Sequence, residues 1–256
     1  MTADINKLAK TVDDAARKAK AIQQLSETTP ITVEEGYAVQ AAAFSRRLAR
    51  GETQVGMKMG FTSRAKMIQM GLSDMVWGRL SDQMLIEDGD EIDLKNYVHP
   101  RIEPELAFLL KRPLEGPVTA AQAMAAVEAV APAMELIDSR YRNFKFSLAD
   151  VVADNSSSSG FVLGAWQSPT ADLTNLGMVL EFNGRPVQIG SSAAILGHPL
   201  RSLAAAARLS TEAGEGLQKG WIVMAGGATA AEALRPGVHV RNIVQDLGFV
   251  GISVAN

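Results

Sequence analysis

The segment 99–110 is short, apolar and bounded by turn residues, the pattern of a β-strand, yet it carries Glu103 and Glu105 near its start. Residues two apart in a strand share a face, so the two carboxylates point the same way with Cα atoms about 6.5 to 7 Å apart. Like charges so placed repel unless something positive lies between them, and one cation with oxygen ligands can bridge that span. A third carboxylate, Glu135, stands in another short apolar run, 131–138, after an alanine-rich helical pattern. An isolated carboxylate among apolar residues must protonate, pair or bind metal. The chain has no cysteine, so any metal is held by oxygen or histidine, and three carboxylates suit a hard cation such as Mg²⁺ or Mn²⁺. The competing arrangement puts Glu103 and Glu105 on a solvated face and pairs Glu135 with Arg140; spacing alone leaves both open.

Around this feature the chain divides in two. Over residues 3–26, Ile5, Leu8, Val12, Ala15, Ala19 and Ile22 recur at steps of three and four, which predicts one amphipathic helix. Thr32 followed by Glu35 is a capping-box pattern that starts a second helix running to about Gly51. Residues 1–50 therefore read as an N-terminal helical extension. Residues 51–256 read as a β-rich domain, with helical patterns only at about 63–70, 119–131 and 199–213. The best local signal lies over 178–189, where Asn183-Gly184 supplies both positive-φ residues of a type I′ hairpin turn. The expected fold class is α+β.

Other chemistries fade. With 25 Lys+Arg against 28 Asp+Glu, no bulk positive field attracts nucleic acid. The polar start and the interruption of apolar stretches such as 120–133 by Gln122 and Glu128 argue against a signal peptide or a membrane span and for a cytoplasmic protein. His99, His198 and His239 lack zinc-enzyme spacing, and Ser63, Ser139 and Ser192 lack a nucleophile-elbow frame. Lys58, flanked by Met57 and Met59, is either an exposed strand lysine or a lone ammonium aimed away from its packed neighbours. The string 154–160, with four serines, is either a polar loop or a cradle for an anionic or carbonyl group.

Taken together, Gly56-Met57-Lys58-Met59-Gly60, Arg101-Ile102-Glu103-Pro104-Glu105, Met134-Glu135-Leu136-Ile137-Asp138-Ser139-Arg140 and Asp154-Asn155-Ser156-Ser157-Ser158-Ser159-Gly160 resemble, in order and spacing, the hydratase and decarboxylase branch of the fumarylacetoacetate hydrolase superfamily. The resemblance covers nearly the whole chain. It implies a mixed β-rich roll preceded by helices, with Mg²⁺ or Mn²⁺ held by Glu103, Glu105 and Glu135. Hydratases of the branch carry Arg or Tyr where Met57 stands and differ again over 225–230, so the resemblance favours a lyase that decarboxylates 2-oxohex-3-enedioate to 2-hydroxypenta-2,4-dienoate in aromatic meta-cleavage degradation. Met57 would then leave the C6 end of the substrate in an apolar setting. Hydration of 2-hydroxypentadienoate is the alternative.

The same resemblance makes Lys58 the hydrogen-bond donor to a developing oxyanion, and gives Asp154, Ser158 and Ser159 proton handling or substrate contact. It makes Leu72, Arg140 and Ser159 the substrate-binding positions. Leu72, Met75 and Trp77 either belong to a lid over 64–80 that excludes water or are ordinary core. The implied partners are the small-molecule 2-oxo-enedioate, the pathway hydratase and further copies of the chain.

Overall fold

A computed structural model describes residues 3–63, 67–68 and 74–256. The first helix, α1 (Ile5–Arg17), starts where the Asp4 side chain accepts from the Lys7 N–H at 3.0 Å. It does not run to residue 26 as the spacing predicts. Ala19 turns left-handed at φ 46° and Ile22 leaves as an extended residue bridged to Tyr141. Ile22 still packs on the apolar cluster that its helical spacing pointed to, but from outside the helix. After the short α2 (Leu25–Thr28), α3 (Val33–Leu48) opens with the predicted box, Thr32 and Glu35 each bonding the other's backbone N–H. Leu8, Ala9 and Val12 of α1 and Val39 of α3 close on Tyr141 and Ala153.

The strands follow as β1 (Gln54–Gly60), β2 (Val76–Ser81), β3 (Leu85–Ile86), β4 (Glu91–Ile92), β5 (Pro100–Leu110), β6 (Val127–Asp138), β7 (Ser158–Leu163), β8 (Gly177–Phe182), β9 (Arg185–Ser191), β10 (Ile222–Met224), β11 (Glu232–Ala233), β12 (His239–Val244) and β13 (Gly248–Val254). Between them lie α4 (Ala120–Ala126), α5 (Leu148–Ala153) and α6 (Pro199–Glu212). The larger sheet runs β2-β1-β10-β5-β6-β7-β3, with β11 on β5; the smaller runs β4-β13-β12-β8-β9. Asn183 and Gly184, at φ 51° and 73°, make the expected hairpin turn between β8 and β9. The helix predicted over 119–131 ends at Ala126. Val127 is β-branched and already pairs with Leu110, so the last five residues of that pattern belong to β6. Of the 63–70 pattern, Met67 and Ile68 are helical and most of the remainder lies outside the described residues.

The two faces of β5 do different work. Ile102 joins Val240 and Ile252 between the sheets, and Leu106 and Phe108 pack with Leu203, Ala206 and Ala207 of α6. The opposite face carries Glu103, Glu105 and Ala107. Ala107 lies opposite Met224 of β10, and Met224 opposite Lys58 of β1. Lys58 and Glu135 are thus three strand spacings apart, roughly 14 Å in a flat sheet, yet their Nζ and Oε2 atoms are 3.1 Å apart. The larger sheet curls around this face, which gives the β-rich roll that the resemblance implies.

Of the two arrangements open for Leu72, Met75 and Trp77, a lid over 64–80 or ordinary core, the core one holds for Met75 and Trp77. Trp77 lies on β2, 3% exposed, its ring stacked on Tyr37 at 5.1 Å, and Met75 packs on the same core. Both are fixed by ordinary packing. Leu72 lies outside the described residues.

Candidate metal centre

Glu103 and Glu135 are direct partners across β5 and β6, and Glu105 follows on the same face of β5. One oxygen from each of the three carboxylates lies within 4.8 Å of the others. Glu105 is fully buried; its Oε2 accepts from the Gly226 N–H at 2.8 Å, while Oε1 has no hydrogen-bond partner. Glu135 accepts from Lys58 Nζ through Oε2, and its Oε1 is likewise buried and unpartnered. Burial, then the neighbouring carboxylates of Glu135 and Glu103, push Glu105 well above the usual carboxylate range, against the pull of Lys58 and the Gly226 N–H. Two buried carboxylate oxygens without donors are costly unless a cation completes them, and an all-oxygen donor set is what Mg²⁺ or Mn²⁺ takes.

Local sequence explains the placement. Met57 and Met59 bury one face of β1 in the core, so Lys58 alone turns to the concave side. It is 4% exposed, which overturns the exposed-lysine arrangement. Met57 points away from the cavity, so it cannot line a substrate's C6 end. The loop after β10 comes close enough that a Cβ on Gly227 would stand 2.4 Å from Glu103 Oε2.

Glu103 lines a cavity of about 470 Å³, together with Lys58, Arg101, Ser157, Phe144 and Phe146 among others. Arg140, Asp154, Ser158 and Ser159 are not brought to it. They gather round a separate cavity of about 230 Å³ walled by α1 and α3. There Arg140 ion-pairs with Asp154 and donates to the Ser159 hydroxyl, so it is not the partner of Glu135. Burial raises Asp154 to about 6, although Arg140 opposes this. Along β6, Ile137 lines the larger cavity and Asp138 the smaller one; in the serine string, Ser156 and Ser157 line the larger cavity, with Ser158 and Ser159 on the smaller one.

The serine that brings an unpartnered hydroxyl to the lining of the larger cavity is Ser157, which the sequence reading does not single out. Ser157 is buried, and its Oγ has no partner. Asn155, Ser156 and Ser157 are consecutive left-handed residues at φ 51°, 50° and 61°, a conformation that costs about 1 to 2 kcal/mol per residue. The Asn155 side chain holds the Arg79 N–H and C=O at 2.8 and 2.9 Å, and Ser156 donates to the Trp77 carbonyl at 2.8 Å. Arg101 was also missed as a cavity residue, although its place two residues before Glu103 puts it on the same strand face.

A family model described as fumarylacetoacetate (FAA) hydrolase C-terminal matches residues 56–255. The chain belongs to the fumarylacetoacetate hydrolase family. Within that family it is 58% identical over 249 residues to a 4-oxalocrotonate decarboxylase of Pseudomonas sp, with 97% of each chain covered. It is similar in structure to the 4-oxalocrotonate decarboxylase from Pseudomonas putida G7 complexed with magnesium and adipate, with TM-score 0.95, 40% identity, and 98% of this chain and 97% of that one covered. A 2-hydroxyhexa-2,4-dienoate hydratase from Comamonas testosteroni is 33% identical over 245 residues, with 93% of each chain covered. No helix among the described residues is long and apolar enough to cross a membrane.

Proposed function

We propose that this chain is a metal-dependent carboxy-lyase that converts 2-oxohex-3-enedioate (4-oxalocrotonate) to 2-hydroxypenta-2,4-dienoate and CO2 in aromatic meta-cleavage degradation. The observation that carries this reading is the 58% identity, over nearly the full length of both chains, to a relative of that name, against 33% to the hydratase. Glu103, Glu105 and Glu135 fit a divalent cation, Mg²⁺ or Mn²⁺, through the unpartnered buried oxygens of Glu105 and Glu135. When bound, the cation supplies Lewis acidity toward the 2-oxo acid end of the substrate.

The residues of the chain supply the rest. As the C5–C6 bond breaks, its electron pair moves through the alkene toward the C2 oxygen, CO2 departs, and one proton completes the dienol. Lys58 Nζ donates a hydrogen bond toward that oxygen as charge collects there, an interaction worth roughly 3 to 4 kcal/mol in a water-poor site. Ser157 Oγ is a second donor on the same wall. Phe144 and Phe146 restrict water near the scissile bond. Arg140, Asp154, Ser158 and Ser159 act at one remove, by fixing the ends of β6 and β7. In the same reading residues 1–50 form a helical extension on a catalytic unit 51–256. The enzyme works in the cytoplasm as a homo-oligomer and associates with the pathway hydratase, which receives the labile dienol.

Product analysis tests this. Purified protein with Mg²⁺ is expected to give stoichiometric CO2 and 2-hydroxypenta-2,4-dienoate from 2-oxohex-3-enedioate, and little hydration of the dienoate when that is supplied. Conversion of the dienoate to 4-hydroxy-2-oxopentanoate, with no CO2 from the six-carbon diacid, would make the chain a hydratase instead.

A further inference from the structure

Arg101 sits on the cavity-facing side of β5 and lines the cavity with Glu103. Its guanidinium lies 4.3 Å from the centroid of the Phe144 ring. Among the described residues no carboxylate lies within 4.0 Å of that guanidinium, and it makes no hydrogen bond. The buried cations nearby behave otherwise: Lys58 is paired with Glu135, Arg140 with Asp154 and Arg79 with Glu215. A half-buried guanidinium against an aromatic wall, with its N–H fork unused, is a preformed receptor for a carboxylate. Stacking on Phe144 fixes the plane of the fork and lowers the ordering cost of binding.

The spacing gives the length of the ligand. Arg101 and Glu103 are two residues apart on one strand, so their Cα atoms are about 7 Å apart. The terminal carboxyl carbons of an extended six-carbon diacid, five bonds of about 1.5 Å apart in zigzag, are separated by roughly 6 Å. An acid whose 2-oxo end lies at the three glutamates therefore brings its far carboxylate to Arg101. We propose that Arg101 binds the distal carboxylate of the substrate and selects six-carbon dianions over monoanions. This rests on the decarboxylase reading above. The carboxylate is still held while the C5–C6 bond stretches, so the contact is made about equally in substrate and transition state and lowers KM without raising kcat.

The test uses Mg²⁺-loaded wild type, Arg101→Gln and Arg101→Lys, titrated calorimetrically with adipate and with hexanoate, alongside steady-state kinetics on 4-oxalocrotonate. Wild type is expected to prefer adipate to hexanoate by tenfold or more. Arg101→Gln should abolish that preference and raise KM by about 10- to 100-fold while kcat stays within about threefold; Arg101→Lys should keep part of both. Matched urea midpoints confirm that each variant folds. If wild type releases CO2 but Arg101→Gln keeps both its KM and its adipate preference, the proposal is overturned and the decarboxylase reading stands. If wild type releases no CO2 but Arg101→Gln still loses the adipate preference, Arg101 remains a dicarboxylate selector and the decarboxylase reading falls.

Discussion

Glu103 and Glu135 stand directly opposite one another across β5 and β6, two carboxylates in a cross-strand position where like charges destabilise a sheet. Glu105 adds a third on the same face. Lys58 answers one oxygen of Glu135 and the Gly226 N–H one oxygen of Glu105, while the second oxygen of each is buried without a hydrogen-bond partner.

Because a ligand that binds only the folded chain stabilises it, Mg²⁺ should raise the thermal midpoint, by about 2.7 kcal/mol of stability at a hundredfold excess over Kd. Glu105→Gln should lose that shift and the metal-dependent activity. Its metal-free urea midpoint should equal or exceed that of wild type, since the amide oxygen can still accept from the Gly226 N–H while one repelling charge is gone. An unchanged Mg²⁺ titration would remove Glu105 from the site.

Lys58→Met leaves Glu135 buried without its cation. Breaking a buried pair from one side costs about 3 to 5 kcal/mol, so the variant should unfold at lower urea in EDTA, and Mg²⁺ should recover more stability than it adds to wild type. With metal saturating, kcat should fall roughly 10²- to 10³-fold. A change confined to KM would make Lys58 a substrate anchor.

Gly227 has no positive φ, so alanine suits its backbone, but the added Cβ would meet Glu103 Oε2 at 2.4 Å. The flexible carboxylate should swing aside. Gly227→Ala is expected to weaken Mg²⁺ binding by about tenfold or more, which corresponds to ~1.4 kcal/mol, with an unchanged circular dichroism spectrum. Calorimetry showing wild-type affinity would mean that Glu103 is not a ligand.

Asp154 gives the pH dependence. Its carboxyl titrates near 6 when folded, raised by burial from the ordinary 3.8. Between those values the folded chain holds a proton that the unfolded chain has released, so this contribution to stability is complete below pH 3.8 and is lost as pH rises through 6. Asp154→Asn has no such titration. Urea midpoints measured from pH 4 to 8 should show wild type losing ground to the variant up to about pH 6 to 7 and holding a constant difference above. A difference independent of pH over this range would refute the assignment.

Local signals carried much of this fold. The capping box at Thr32, the Asn183-Gly184 turn and the shared face of Glu103 and Glu105 each depend on residues within three positions, and each is present. What was not legible is set by distant pairing. The opposition of Glu103 and Glu135 is a matter of register, and whether Lys58 reaches Glu135 depends on how far the sheet curls. The serine string pointed to hydroxyls near the site. Which of them line the larger cavity, however, is decided by a left-handed turn anchored on Arg79 and Trp77 of β2. One of the two arrangements open from spacing paired Arg140 with Glu135, five residues before it, whereas the chain turns after Asp138 and takes Arg140 to Asp154. The helix read over 3–26 failed because the spacing of Ile22 records only that it is buried, which an extended bridge satisfies equally well.

The position of β10 sets an order of assembly. This strand lies between β1 and β5, parallel to β1, and Lys58 is in register with Met224 near the far end of the chain. During synthesis β5, β6 and β7 emerge in succession and can pair as antiparallel neighbours, bringing the three glutamates together early. β1, made before any of them, can pair with β2 as soon as that strand emerges, but it is joined to β5 only once β10 leaves the ribosome. Such long-range parallel pairing is slow to form and leaves strand edges open in the interval. The nascent chain therefore acquires its carboxylate cluster before its lysine, and the cluster's charge goes unanswered from that side until translation is nearly finished.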